Sequence, residues 1–332
     1  MESPSDPSDQ LWSIILAGRE GTRLSSLVHR WLGRLKPKQY CAFVGSRSMF
    51  QHTLDRAATL TSPDRTVTVV AHSHRQEALA QLEGRQGSMI LFQPTNCDTA
   101  AGVFLPLTYI RAKSPQATVV IYPSDHFVYP EERFLEAVRR VVRIAESRPD
   151  RLVLLGVAPD RLDLDYGWVQ PGRSIAGPAG EPVHAVDSFL EKPDIAQADA
   201  ALQTGALWNT LVFAVSADLL WTLGWQCLPD MMPLFERLSR SVGGPDEGRV
   251  LKTMYEDMPV KNFSSDLLQL VSGHLAVVEL SGVLWSDWGK PERIAETLRR
   301  IDRRPAFPLT CLDRPFVPFP MTAAEAGLPM TL

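Results

Sequence analysis

The chain has 332 residues, 45% apolar and 22% charged, with a formal net charge of −4 at pH 7. That length holds one large α/β domain or two smaller ones, and the composition is that of an ordinary globular protein. The slight acidic balance argues against a nucleic-acid binder, which carries a basic surplus, and no apolar run approaches the ~20 residues that cross a membrane.

The first ten residues, MESPSDPSDQ, are polar, acidic and proline-bearing. They lack the basic and apolar regions of a secretion signal and read as a disordered N-terminus. Apolar runs at 12–16, 66–71, 89–93, 118–122 and 152–156 are rich in Val, Ile and Leu, as strands buried on both faces should be. Amphipathic stretches lie between them. The clearest is EERFLEAVRRVVRIAES, 131–147, with Phe134, Val138, Val141, Val142 and Ala145 on one face and its arginines on the other, solvated face. This alternation predicts an α/β fold: a Rossmann-like, mostly parallel sheet with helices on both faces.

From 166 to 216 the pattern changes to strands and turns: YGWVQPG, HAVDSFLEK and WNTLVFAVS. An inserted smaller sheet is expected there. Helices follow near 217–226, 233–241, 248–255 and 291–301, with a strand at LAVVEL. Trp221 and Trp225, four apart on a helix, are expected in the core. The last 28 residues hold six of the 26 prolines and little periodicity. The expected organisation is a disordered segment over 1–10, one domain over 11–302, and a Pro-rich arm or tail over 303–332. There is no internal repeat. The cysteines, Cys41, Cys97, Cys227 and Cys311, form no Cys-x-x-Cys pair. They fit neither a zinc site nor a disulfide framework, and they fit a reducing cytoplasm.

Five stretches carry chemistry. In SIILAGREGTRL an apolar strand ends in a glycine-bearing loop, the place where backbone N–H groups meet an anion. Gly18 and Gly21 allow close approach. Arg23 and Lys38 add positive charge suited to phosphates. A Gly-x-x-Gly loop alone is equally a plain β–α turn. In VVIYPSDHFV a strand delivers Asp125 to its carboxyl end, where parallel sheets bind ligands. A helix cap or turn is the other reading of Asp125, and His126 reads as structural. Asp287, in VLWSDWGKPER, is likewise a metal ligand or a helix cap. Glu191 and Lys192, in DSFLEKPD, are either a solvated pair or a binder of hydroxyls and phosphate. Asn209, in LWNTLVFAVS, suits sugar hydroxyls or an Asx-turn.

The order and spacing of these pieces resemble the sugar-1-phosphate nucleotidyltransferases. That family opens Leu-Ala-Gly-Gly-x-Gly-Thr-Arg-Leu and continues with Pro-Lys-Gln or Pro-Lys-Pro, as Pro37-Lys38-Gln39 does here. The similarity runs from about residue 12 to 300. Pro-Lys-Gln, Pro-Ser-Asp-His, Trp-Asn and the Ser-Ser-Asp segment at Asp266 look most like its mannose-1-phosphate guanylyltransferase branch. Bifunctional members carry a further isomerase domain, for which 332 residues are too few. The resemblance implies formation of GDP-mannose and pyrophosphate from GTP and mannose 1-phosphate with Mg²⁺, in the cytoplasm. It implies that Leu16, Ala17, Gly18, Arg19, Gly21, Thr22, Gln93, Pro94 and Thr99 bind the nucleotide. Arg23 and Lys38 would be catalytic, Gly167, Glu191, Lys192 and Asn209 would hold the sugar phosphate, and Asp125 and Asp287 the metal.

Two departures matter. Arg19 replaces a usual glycine; if the backbone there needs a positive φ, an arginine costs about 1–2 kcal/mol. Thr210-Leu211 replaces a family pair ending in glycine. Three other readings stay open: another nucleotide and sugar phosphate pair, a degenerate paralogue that binds nucleotide sugars and regulates a partner, and a dinucleotide-dependent dehydrogenase, whose Gly-x-Gly-x-x-Gly is absent. Neither nucleic acid nor membrane is an expected partner. A homodimer is compatible with the sequence, which specifies no oligomeric state.

Overall fold

A computed structural model describes residues 10–312, except 83 and 86. The strands are β1 (Leu11–Ala17), β2 (Thr66–Ala71), β3 (Met89–Gln93), β4 (Thr118–Pro123), β5 (Phe127–Tyr129), β6 (Leu152–Val157), β7 (Trp168–Ala176), β8 (Pro182–Leu190), β9 (Leu207–Ser216), β10 (Leu275–Glu279) and β11 (Leu284–Ser286). The helices are α1 (Ser25–Leu32), α2 (Met49–Ala58), α3 (Arg75–Leu82), α4 (Asp98–Lys113), α5 (Glu131–Ser147), α6 (Ile195–Gln203), α7 (Ala217–Cys227), α8 (Met232–Ser239), α9 (Glu247–Glu256), α10 (Phe263–Asp266) and α11 (Pro291–Arg300).

Nine strands form one sheet in the order β3-β2-β1-β4-β9-β6-β10-β8-β7. The pairs β3–β2, β2–β1, β1–β4 and β6–β10 are parallel, and β9 runs antiparallel between β4 and β6. The mixed α/β architecture and mostly parallel core agree with the alternation in the sequence. The strands expected between 166 and 216 join this sheet: the β7–β8 hairpin extends its edge through β10. The small second sheet is instead the antiparallel pair β5–β11, which brings the segment after Asp125 against the segment before Asp287.

Apart from the edge strand β3, the parallel strands are largely buried on both faces. Along β1, Ile14 packs into a core with α4, α7 and α8, while Ile15 packs into another with α2, α3 and α5. Helices start where the chemistry predicts. Ser48 and Gln51 form a capping box at α2, and Glu131 and Glu132 sit in the first turn of α5, where negative charge suits the helix dipole. Trp221 is buried against Phe104 and beneath Arg111, but Trp225, expected beside it in the core, is 42% exposed. It lies in the last turn of α7, past the cover that α4 gives Trp221.

A third core cluster ties the two ends of the domain together. Leu24, Leu27 and Val28 near the start of the chain pack with Trp288, Ile294 and Leu298 near its end, through Phe43. Phe307 and Cys311 join this cluster, and Ala306 N donates to Phe43 O at 2.8 Å. Residues 1–9 and 313–332, with the rest of the expected arm, lie outside the described residues. Among those described, no helix is long and apolar enough to cross a membrane.

Candidate active site

The carboxyl ends of β1, β2, β3 and β4 open onto a cleft of about 410 Å³. Sheet geometry alone puts Leu16, Gln93 and the Asp125 turn around one space, as strand ends do in parallel sheets. Leu16, Gly18, Arg19, Gly21, Thr22, Arg23, Lys38, Gln93, Thr99, Asp125 and Asp287 all line it. Two expected nucleotide-site residues do not. Ala17 is buried behind the lining, and Pro94 sits outside it in the turn after β3.

The glycine loop is held from below. Gln39 Nε2 donates to Ala17 O at 3.1 Å and to Arg19 O at 2.8 Å, and Tyr40 OH donates to Ala17 O at 3.1 Å. Gly21 has φ +63°, and a Cβ there would lie 3.1 Å from Lys38 Cβ. Arg19 is not among the described non-glycine residues with positive φ, so it carries no left-handed backbone strain. Its carbonyl is pinned by Gln39 and its side chain is exposed on the cleft.

Lys38 is the centre of charge. It is 4% exposed, pairs with Asp125 Oδ2 at 2.9 Å, and donates to the Asp287 backbone oxygen. Asp287 Oδ1 accepts from Tyr166 OH at 2.9 Å, Gly289 N at 2.9 Å and Arg293 Nη1 at 2.7 Å, while Oδ2 accepts from the exposed Arg23 at 3.1 Å. Arg293 also pairs with Asp163 at 2.5 Å and Asp165 at 3.0 Å. Gly289 must be small: a Cβ would come 2.6 Å from Asp287 Oδ2 and 2.7 Å from Arg23 Nη2.

These neighbours keep both carboxylates charged. Burial works against ionisation of Asp125, but Lys38, Arg19 and, once it is protonated in acid, His126 outweigh it and bring the carboxyl down to about 2. Burial also opposes Asp287, yet Lys38, Arg293 and Arg23 hold it well below the usual carboxylate range. His126 is pushed down to about 4 by burial, against the pull of Asp125, and so is neutral at pH 7.

Beside the cleft lies a second group. Asn209 N donates to Gly167 O at 2.8 Å, and a Cβ on Gly167 would reach Glu191 Oε2 at 2.9 Å. Lys192 follows with φ +47°, a strained value for a non-glycine residue of the kind that clusters at binding sites. Burial raises the Glu191 carboxyl, with Lys192 and Arg19 partly offsetting it. Gly167, Glu191, Lys192 and Asn209 do not line the cleft itself, but Arg19, which does, acts on Glu191. Asn209 forms the Asx-turn that was one of its two readings, its Oδ1 accepting from Leu211 N at 3.0 Å.

The sequence reading missed Arg293, Asp163, Asp165 and the Tyr166 hydroxyl. One signal for Arg293 was available: a cation in the first turn of a helix opposes the dipole, so it needs an acidic partner.

With this geometry in place, comparison with known proteins is decisive. Residues 12–303 match the Nucleotidyl transferase family. The chain belongs to that family. Its enzymes transfer nucleotidyl groups, which suits a cleft with a glycine loop, a buried lysine and two ionised carboxylates. Among curated relatives, the xanthan biosynthesis protein XanB of Xanthomonas campestris pv. campestris (strain B100) is 32% identical over 208 residues, 62% of this chain and 42% of that protein. The mannose-1-phosphate guanylyltransferase of Escherichia coli (strain K12) is 27% identical over 290 residues, 84% of this chain and 58% of that protein. The chain spans about half the length of the curated relatives it matches. A crystal structure described as a mannose-1-phosphate geranyltransferase from Thermus thermophilus superposes with a TM-score of 0.72 at 24% identity, covering 86% of this chain and 79% of that one. At that identity the likeness carries the fold.

Proposed function

We propose that the chain is a mannose-1-phosphate guanylyltransferase acting in the cytoplasm. The observation that carries the chemistry is Lys38, held between Asp125 and Asp287 at the floor of a cation-rimmed cleft. The choice of GTP and mannose 1-phosphate rests on relatives that carry that name. A phosphate oxygen of mannose 1-phosphate bonds to the α-phosphorus of GTP, and the bond from that phosphorus to the bridging oxygen of the leaving pyrophosphate breaks. The attacking oxygen is already ionised at neutral pH, so no general base is needed. Catalysis then consists of positioning and charge neutralisation.

The loop from Gly18 to Arg23 faces the triphosphate, and Lys38 neutralises charge near the α-phosphate. Gly167, Glu191 and Asn209 orient the sugar, and Lys192 meets its phosphate. The donor set fits Mg²⁺. Among the described residues, no three His, Cys, Asp or Glu side chains converge on a point. Two ionised carboxylates, with water and phosphate oxygens completing the shell, are what that ion uses beside nucleotides. Asp125 and Asp287 would hold it, with Arg23 moving off Oδ2. When bound, Mg²⁺ supplies charge neutralisation at the α-phosphate and the incoming oxygen.

The test is pyrophosphate release with Mg²⁺ across GTP, ATP, UTP and dTTP, each paired with mannose, glucose and N-acetylglucosamine 1-phosphates. Signal with GTP and mannose 1-phosphate alone supports the reading. Signal with another pair keeps the mechanism and replaces the substrates.

A further inference from the structure

β9 departs from regular pairing beside the cleft. Leu154 and Gly156 of β6 pair with Phe213 and Asn209 of β9, so the segment 210–212 bulges. Three hydrogen bonds hold the bulge. Leu211 N donates to Asn209 Oδ1 at 3.0 Å, Thr210 Oγ1 donates to Leu155 O at 2.6 Å, and Val212 N donates to Thr210 Oγ1 at 3.2 Å. At its apex Leu211 has φ +56°, a conformation that glycine adopts freely and leucine does not. Bulges next to active sites re-aim side chains. This one turns Leu211 to the cleft, whose wall it forms while also packing against the core. Two residues back in the chain is Asn209, which contacts Gly167, itself set against Glu191. Leu211 therefore stands at the border between the nucleotide cleft and the group read above as the sugar site.

We infer that Leu211 is a specificity-determining residue, whose side chain limits the acceptor to hexose 1-phosphates carrying hydroxyls and excludes those with a bulky acylamino group. This rests on the sugar-site reading of Asn209 and Glu191. The Asx-turn and the Thr210 tie hold a leucine where the backbone alone favours glycine, and the bulk so placed stands on the cleft wall two residues from Asn209.

The test compares kcat/KM for N-acetylglucosamine 1-phosphate and mannose 1-phosphate, each with GTP, in the parent chain, L211G and L211N. Glycine removes the bulk and accepts the left-handed backbone. Asparagine also tolerates that backbone but keeps a side chain of similar size. L211G is expected to raise the ratio of the bulky to the small acceptor by at least about tenfold, and L211N by less than about threefold. An L211G ratio within about threefold of the parent overturns the inference. So does an L211N shift as large as that of L211G, which assigns the effect to backbone strain. If the parent turns over no pair, the proposed function fails on its own. Calorimetric titration of both sugar phosphates into the parent and L211G then decides: a gain for the bulky one in L211G supports the inference, and unchanged relative affinity overturns it.

Discussion

Lys38→Met isolates the charge at the centre of the site. Methionine keeps much of the lysine volume and removes the ammonium that Asp125 Oδ2 meets at 2.9 Å. In the parent, the Asp125 carboxyl ionises at about 2 instead of 3.8, with Lys38 the largest of the influences that overcome burial. A folded pKa below the unfolded one means that its stabilisation is present above 3.8 and is lost as pH falls through about 2. The shift is worth roughly 2–3 kcal/mol at neutral pH. Without Lys38, burial dominates and the sign reverses. The folded carboxyl rises above its unfolded value, and stability falls as pH climbs from the acid side toward neutrality. Breaking a buried pair by removing one partner costs about 3–5 kcal/mol, which is the deficit expected for K38M at pH 7. The deficit should narrow at about pH 4.5, where the carboxyl left without its lysine holds its proton. Denaturant unfolding of both proteins in EDTA, at the two pH values, measures it. A deficit under about 1 kcal/mol at pH 7, or one equal at both pH values, would refute the electrostatic reasoning.

Arg293→Ala removes the cation shared by Asp287, Asp163 and Asp165, and should cost about 3–5 kcal/mol in denaturant unfolding. Arg293→Lys should recover only part of it, since one ammonium cannot reproduce the guanidinium fork. Gly289→Ala puts a Cβ between Asp287 and the flexible Arg23. Turnover should fall at least about tenfold while unfolding shifts by less than about 1 kcal/mol. Arg19→Gly should raise KM for the nucleotide and give no stability gain; a gain of about 1–2 kcal/mol in a melt would show that the loop had been strained after all. Cys41 is buried and its thiol is pushed up to about 12, so alkylation of the native protein should spare it and mark the half-buried Cys227 first, as peptide mapping would show. Because that shift is upward, its stabilisation is intact below 9.0 and is lost as pH rises toward about 12.

The parallel core was legible because each strand is a short run of branched apolar residues: 66–71 and 89–93 coincide with β2 and β3. The helix at 131–147 was legible from its periodicity. The sheet membership of β7 and β8 was not, since alternation identifies a half-buried strand without naming its neighbour. The β5–β11 pair, three residues a side, is too short to show any period. At the site, residues at strand ends or in glycine loops could be found from local pattern. Asp125 is one, placed by β4. Arg293, Asp163 and Asp165 meet only through tertiary packing of α11 against the loop before β7, so neither stretch signals the other. At Arg19 the residue type left two conformations open, and only the backbone settled which is used.

The central claim is tested most directly by product stoichiometry. GTP and mannose 1-phosphate are incubated with the purified chain and Mg²⁺, and GDP-mannose is measured by mass spectrometry beside released pyrophosphate. Equal amounts of the two products, both lost when Mg²⁺ is chelated, are the expected result. Pyrophosphate without sugar nucleotide, or no product with this or any other nucleotide and sugar phosphate pair, would contradict it.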